Sequence, residues 1–382
     1  MHRRPALAAL LLFLAGTAFA AETIEGFAPE SARSLARGGY HAASGGDLEA
    51  LFSNPAGLAT APRQIEFAKL GFRLSGPVFD IANAMQSGDD LMTSVTDVLA
   101  KHDYRINAGL DLAGPLYFAY SGEGLAFGLF SRTKAGLNAS SISTVGLSVR
   151  EDLLLAGAYA FRLDLGGGHA LDLGFGAKGF VRGEMAITES LVSIQDILGD
   201  LGSLYSDTPF FLTTGVGVDL GLRWSWESLA AGLVCRDAFS PAVLTEYASA
   251  SGFFSDPSAA KVESGYALVD PDLAVGFSWH PALGRLARYV DDFILFLDYA
   301  DILGLFEPIP RNAVLNLRLG AEARVLDILS LRLGMNEALL AAGVGLDLSV
   351  VQVEMAVFGE ELGLDPGDRP SYNLLLGFDF LY

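Results

Sequence analysis

From Gln64 to the C-terminus the chain alternates apolar and polar residues with a period of two, the pattern of strands that turn one face to each side. In Asn312–Val325, the residues Ala313, Leu315, Leu317, Leu319, Ala321, Ala323 and Val325 share one face. Asn312, Asn316, Arg318, Gly320, Glu322 and Arg324 share the other, with Val314 the one apolar exception. In Ala170–Arg182, Leu171, Leu173, Phe175, Ala177 and Val181 oppose Asp172, Lys178 and Arg182. Val350–Glu360 sets Val351, Val353, Met355 and Val357 against Gln352, Glu354 and Glu360. Fourteen segments read this way: 64–75, 104–120, 124–135, 145–163, 169–185, 208–223, 228–238, 270–280, 292–301, 312–325, 329–336, 339–348, 350–358 and 371–382. Many outrun the roughly five or six residues of a soluble strand. They approach the roughly 9–11 that a tilted membrane strand needs.

The joins sort by parity. Those after strands two, four, six, ten and twelve are short (121–123, 164–168, 224–227, 326–328 and 349), with 281–291 a longer exception after strand eight. The odd joins include the long ones, Gly76–Asp103, Ala186–Asp207, Ala238–Val269 and Gly359–Pro370. Antiparallel order puts odd and even joins at opposite ends, so the expected fold is all-β: a 14-stranded antiparallel transmembrane β-barrel over 64–382, with some helix in its long external loops. In the last segment Tyr372, Leu374, Leu376, Phe378, Phe380 and Tyr382 form an unbroken apolar face opposite Asn373, Gly377 and Asp379, which suits a lipid-facing wall with an interfacial girdle. A soluble two-sheet protein is the competing fold. It would bury one large apolar core, whereas the smaller face of each strand here carries Gly, Ala and charge.

Two long joins read as amphipathic helix. Ile81, Met85, Leu91, Val95 and Val98 make one stripe; Leu191, Ile194, Ile197, Leu198, Leu201 and Leu204 make a cleaner one. Ala21–Arg63 has no sustained period. It carries Gly38-Gly39 and Gly45-Gly46, and reads as a compact irregular plug.

Composition agrees with a barrel. Of 382 residues 51% are hydrophobic and 18% charged, yet no apolar run after the N-terminus reaches the roughly 18 residues of a membrane helix. Residues 1–20 read as a secretory signal: Arg3 and Arg4, an apolar core from Ala6 to Phe19, and the small-x-small site Ala18-Phe19-Ala20. Its removal leaves 23 basic against 45 acidic residues, a net charge of −22 that argues against nucleic acid as a partner. Cys235 has no second Cys to pair with.

The chemistry is sparse. Arg105, Asp111, Arg162, Asp172, Lys178, Arg182, Asp219, Arg223, Asp298, Arg318, Glu322, Arg324, Arg332, Asp347 and Glu354 would face the lumen, where pairing with one another and with a plug is preferred to catalysis. The five His (His2, His41, His102, His169 and His280) show no ligand spacing. Gly166-Gly167-Gly168 joins two strands, and a phosphate loop would need a following helix. No catalytic residue, metal or cofactor is expected.

Ser31-Ala32-Arg33-Ser34-Leu35-Ala36-Arg37-Gly38-Gly39, then Gly46-Asp47, then Ala50-Leu51-Phe52-Ser53-Asn54-Pro55-Ala56-Gly57-Leu58-Ala59, resembles the N-terminal hatch of FadL-like outer-membrane proteins. The C-terminal third (298–303, 317–325 and 343–361) is similar to the related branch that includes the secretion barrel PorV. The resemblance implies a barrel closed by a hatch over 21–63 and passive uptake of long-chain fatty acids or similar hydrophobic molecules. A PorV-like assembly barrel or surface adhesin without transport is the alternative it implies. It assigns Asn54, Pro55 and Ala56, with Phe52 and Leu58, to the hatch or ligand floor. External capture falls to Leu191, Ile194, Leu198 and Leu201 in one loop and Phe239, Phe253 and Phe254 in another. Gly128 is the candidate kink of the third strand, through which ligand would leave sideways. Outer-membrane lipids are implied partners, and so is the outer-membrane insertion machinery through the C-terminal strand.

Overall fold

A computed structural model of the chain describes residues 22–381, apart from 78–79, 81–96, 99, 102–105, 142–143, 191–192 and 194–200. The expected signal over 1–20, the first helical stripe except Val98, and Leu191, Ile194 and Leu198 lie outside the described residues. The chain begins with β1 (Glu22–Ile24), α1 (Ala32–Ala36), α2 (Ala50–Ser53) and a 3-10 turn, Pro55–Thr60. The strands β2 (Gln64–Ser75), β3 (Ile106–Gly122), β4 (Leu125–Ser141), β5 (Thr144–Gly166) and β6 (His169–Glu189) follow. After α3 (Leu201–Asp207) come β7 (Phe210–Trp226), β8 (Leu229–Phe239) and β9 (Pro241–Tyr247). Then α4 (Ala250–Ser255) and α5 (Pro257–Ala260) lead to β10 (Lys261–Val269) and β11 (Asp272–Trp279). The rest is β12 (Val290–Tyr299), β13 (Leu317–Val325), β14 (Leu329–Asn336), β15 (Leu339–Asp347), β16 (Val351–Glu361) and β17 (Pro370–Leu381).

These strands close into a barrel. β17 pairs back onto β2, with Leu374 opposite Leu74. β8 and β9 are halves of one wall strand, because β7 pairs with both. β10 and β11 are halves of the next, pairing with β9 and β8. Counted so, the wall has fourteen antiparallel strands. Prolines at Pro241 and Pro271 mark the two breaks, each lacking the N–H a ladder needs. Among the described strands β1 alone runs parallel, beside Ala267–Val269 of β10.

The faces follow the alternation. Val216, Val218, Leu220 and Leu222 of β7 are exposed, while Thr213 and Asp219 are buried. All three Trp lie on the outer face near the short-turn end: Trp226 stands beside Leu229, and Leu229 beside Trp279, with His169 stacked 5.6 Å and 5.4 Å from Trp224 and Trp226. Trp belongs at such a membrane–water boundary, its ring apolar and its N–H wet. The short turns need left-handed residues, and Leu326-Asp327 supply two in succession with φ 53° and 57°.

Two expectations are corrected. Residues Ala313–Asn316 form a 3-10 turn, so the strand expected over 312–325 begins at Leu317. The Asn312 side chain accepts from Val314 N, and Asn316 Nδ2 donates to Asp301 O, which favours a turn where the sequence alternates. The loop expected over 238–269 is largely strand, because β9 and β10 extend the wall as a hairpin.

Candidate functional site: the segment inside the barrel

Residues 24–61 pack against the inner wall, where backbone, apolar and ionic contacts each play a part. Asn54 is fully buried between the segment and β7. Its Nδ2 donates to Ala42 O at 2.6 Å and to Leu222 O at 3.2 Å, and its Oδ1 accepts from Ala56 N at 3.0 Å. Pro55 opens the 3-10 turn, where its fixed φ fits and no N–H is missed. Ala56 and Leu58 are wholly buried.

The wall makes room with glycine. Gly174 faces Gly221 across β6–β7, Gly232 faces Gly276 across β8–β11, and Gly320 faces Gly334 across β13–β14. A Cβ on Gly174 would overlap Ala56 N, one on Gly232 the Ala42 carbonyl, and one on Gly334 the Arg37 backbone. The segment's backbone therefore lies directly on the sheet.

Ion pairs pin the other side. Glu322 of β13 receives Arg33 Nε at 3.0 Å, Arg37 Nη1 at 2.9 Å and Arg332 Nε at 3.0 Å. Arg33 also reaches Asp47, Arg37 reaches Glu49, and Arg332 reaches Glu354. Glu30 joins Arg73 of β2 at 3.0 Å and Arg132 of β4 at 3.3 Å. Most of the expected lumen charges are thus paired, while Arg105 lies outside the described residues.

Phe52 of α2 meets Phe130 of β4 edge-on at 4.9 Å, and Phe130 meets Tyr117 of β3 at 5.1 Å. Beside this trio the β3 ladder is irregular. Pairing with β2 jumps from Glu66↔Ala119 to Gly71↔Ala113, and pairing with β4 from Tyr117↔Phe130 to Ala113↔Arg132. Gly114 sits in this bulge with φ 87°, and a Cβ there would overlap Lys69 O. Leu116 and Phe118 point outward from it and are exposed.

The bulge beside the aromatic trio is therefore in the second wall strand, not at Gly128. Gly128 keeps straight register with Ala119 and Ala156, and its missing side chain makes space for the Phe130 ring. The sequence did carry a signal for this bulge, a Gly114-Pro115 pair inside a strand run.

The external loop residues part company. Phe253 and Phe254 join Phe210, Tyr247 and Tyr205 in an aromatic cluster, with Phe210–Phe253 at 5.1 Å and Tyr205–Phe254 at 6.3 Å. Met185, Phe210 and Tyr247 stand abreast on the ladder, on the face shared by Val216 and Val218. The cluster thus lies on the outside of the rim, not over the lumen mouth. Asp256 caps α5 there, and the Ser258 hydroxyl first, then the Ala259 and Ser258 amides, holds its carboxyl below the usual range. Phe239 is exposed on the lipid face beside Val218. Leu201 opens α3.

Two lumen cavities are polar. One of about 390 Å³ lies under the segment, walled by Glu49, Glu66, Lys69, Glu354 and Asp379. Another of about 540 Å³ lies towards the long loops, walled by Arg73, Asp111, Lys134, Arg150 and Glu184. Among the described residues no group of three His, Cys, Asp or Glu is placed to hold a metal ion.

No family model and no curated protein matches the chain. Solved structures similar to it include the Pseudomonas putida toluene transporter TodX, at 13% identity over 94% of this chain and 99% of that one, with a TM-score of 0.47. The CymD monoaromatic hydrocarbon channel is similar at 12% identity over 91% and 96%, TM-score 0.47. A Pseudomonas aeruginosa FadL homologue is similar at 9% identity over 95% and 99%, TM-score 0.43. The fold assignment rests on the chain's own ladder of paired strands.

Proposed function

We propose that the chain is an integral outer-membrane barrel for passive uptake of hydrophobic molecules, long-chain fatty acids among them. The observation that carries this reading is the aromatic trio beside the β3 bulge. Phe52, Phe130 and Tyr117 line the inside; Leu116 and Phe118 stand outside the same irregular stretch. An apolar solute leaving the inner segment there would meet the Phe52 and Tyr117 rings and then lipid, passing beside Glu66, whose carboxylate accepts from the Tyr117 hydroxyl. A packed segment inside a closed wall also disfavours an open water-filled pore. On this reading Asn54, Pro55 and Ala56 hold the floor of the route.

The test is uptake of labelled oleate, and separately of labelled toluene, into liposomes carrying the full chain. Phe52→Ala and Phe130→Ala should lower uptake several-fold, since each ring offers about 1.5–3 kcal/mol of apolar contact. Uptake equal to empty liposomes would overturn the reading.

The polar walls of both lumen cavities favour a second reading, a surface-binding or assembly barrel without transport. Deleting residues 250–260 should then abolish partner binding at the cell surface, with no solute found in the lumen.

A further inference from the structure

Of the two edges of β10, one is partly bare. Along the first, Glu263 to Leu268 pair with Glu246 to Pro241 of β9. Along the second, β1 covers Ala267–Val269, with Glu22 opposite Ala267 and Ile24 opposite Val269. Among the described residues, Glu263, Ser264, Gly265 and Tyr266 have no neighbouring strand on that side. All four are exposed, Tyr266 by 82%, and a Cβ on Gly265 would meet nothing within 4 Å. The adjoining wall strands stop lower. β12 leaves β11 after Val275↔Tyr299, and β13 starts at Leu317, in register with Tyr299. A strand turns its amides and carbonyls to its two edges in alternation, so every second residue of this stretch aims both groups at an empty edge.

The bare stretch stands above the membrane. Tyr266 is in register with Val243, and Val243 with Thr214, which lies twelve residues along β7 from Trp226 at the short-turn girdle. At a rise of about 3.4 Å per residue and a tilt of about 40°, that is roughly 30 Å, more than an apolar band about 25 Å tall. Water can solvate the open groups there, which lipid could not. β1 covers the part of the edge nearest the lipid.

We propose that this edge of β10 is a docking site for an extended peptide segment of another protein, which adds to the wall as a strand. β1 shows that the edge accepts a strand, and the newcomer continues the row that β1 begins. Bare amides and carbonyls in a row are matched by another backbone, while alternate side chains choose the partner. Ser264 and Tyr266 lie on the outer face with Val243, and Glu263 and Gly265 on the inner. The partner strand therefore sets an apolar residue beside Tyr266 and small or basic residues beside Gly265 and Glu263. Lys261 and the bulge between Lys261 and Glu263 end the site at its upper side. A second copy of this chain does not fit. Two upright barrels related by an axis along the membrane normal would cross these strands at about 80°, twice their tilt.

The site does not depend on solute uptake, and its test measures none. Hydrogen exchange on the full chain in lipid nanodiscs should find every second amide of Glu263–Tyr266 unprotected, although the stretch is strand. A phage-displayed library of linear peptides is then selected against these nanodiscs, with empty nanodiscs as counter-selection, and the tightest peptide is synthesised. It should slow exchange of the same amides at least about tenfold. Two versions of it, N-methylated on alternate residues, should part: methyl groups on the amides that face β10 abolish binding, and those on the amides that face away leave it. Selection that yields no peptide, protection that falls elsewhere, or equal effects of the two methyl patterns would overturn the proposal. So would a dimeric chain whose Glu263–Tyr266 amides are already protected, which would give the edge to a second copy.

Discussion

Asn54 shows how much one side chain can hold together. It satisfies two carbonyls and one amide in a fully buried site, so Asn54→Ala strands each of them at roughly 1–3 kcal/mol per unpaired group. The variant should lower the denaturant midpoint and raise ion conductance, measured by urea titration and in planar bilayers. Gly221→Ala attacks the same contact from the wall, where the new methyl would meet Asn54 Oδ1. It should displace the segment at a cost of at least about 1–3 kcal/mol, seen as faster protease cleavage within residues 40–60. At this scale the sequence was readable in part. Asn54-Pro55 stands out because a cap followed by proline marks a break in any pattern. His41 does not stand out, because its partner is Asp298, which only the fold places 2.6 Å from Nδ1. No local spacing could have paired them.

Elements were legible where alternation is strict. β2, β14 and β16 fall within a few residues of their expected bounds, because a period of two with one face in lipid leaves little freedom of register. Alternation misleads at Ala313–Asn316, where side-chain hydrogen bonds from Asn312 and Asn316 set a turn. It is silent on whether a long join is loop or raised wall, hence the extension by β9 and β10. The aromatic loop residues were singled out by the family resemblance, but their side of the rim follows from strand parity once the ladder is known. The β3 bulge yields the prediction belonging to this scale. Gly114→Ala places a side chain at φ 87° against Lys69 O, so the ladder must shift. If solute leaves through this stretch, uptake should fall several-fold while the barrel still resists detergent unfolding on a gel; unchanged uptake would remove the bulge from the route.

For the whole molecule, Glu322 is the hub that couples segment and wall. Glu322→Gln leaves Arg33, Arg37 and Arg332 around a neutral amide, and removing one member of such a buried group costs about 3–5 kcal/mol. Unfolding of the inner segment should separate from unfolding of the barrel, giving two transitions in urea where the wild type gives one. The closed barrel was legible in the sequence because strand number and loop parity are sums over many residues, and errors in single strands cancel. Ion pairs such as Arg33–Glu322 were not, since they join residues 289 apart in the chain.

The paired glycines of the wall have a mechanical consequence. Where Gly174, Gly221, Gly232, Gly320 and Gly334 meet the inner segment, the sheet presents backbone without knobs, much as the race of a bearing presents no teeth. Side chains that interlock resist sliding at every step. A smooth contact resists only through its pins, which here are Asn54, the Glu322 arginines and the His41–Asp298 pair. Pulled from its N-terminal end in a force spectrometer, the segment should hold to one sharp rupture as these pins fail, and then slip free with little further drag.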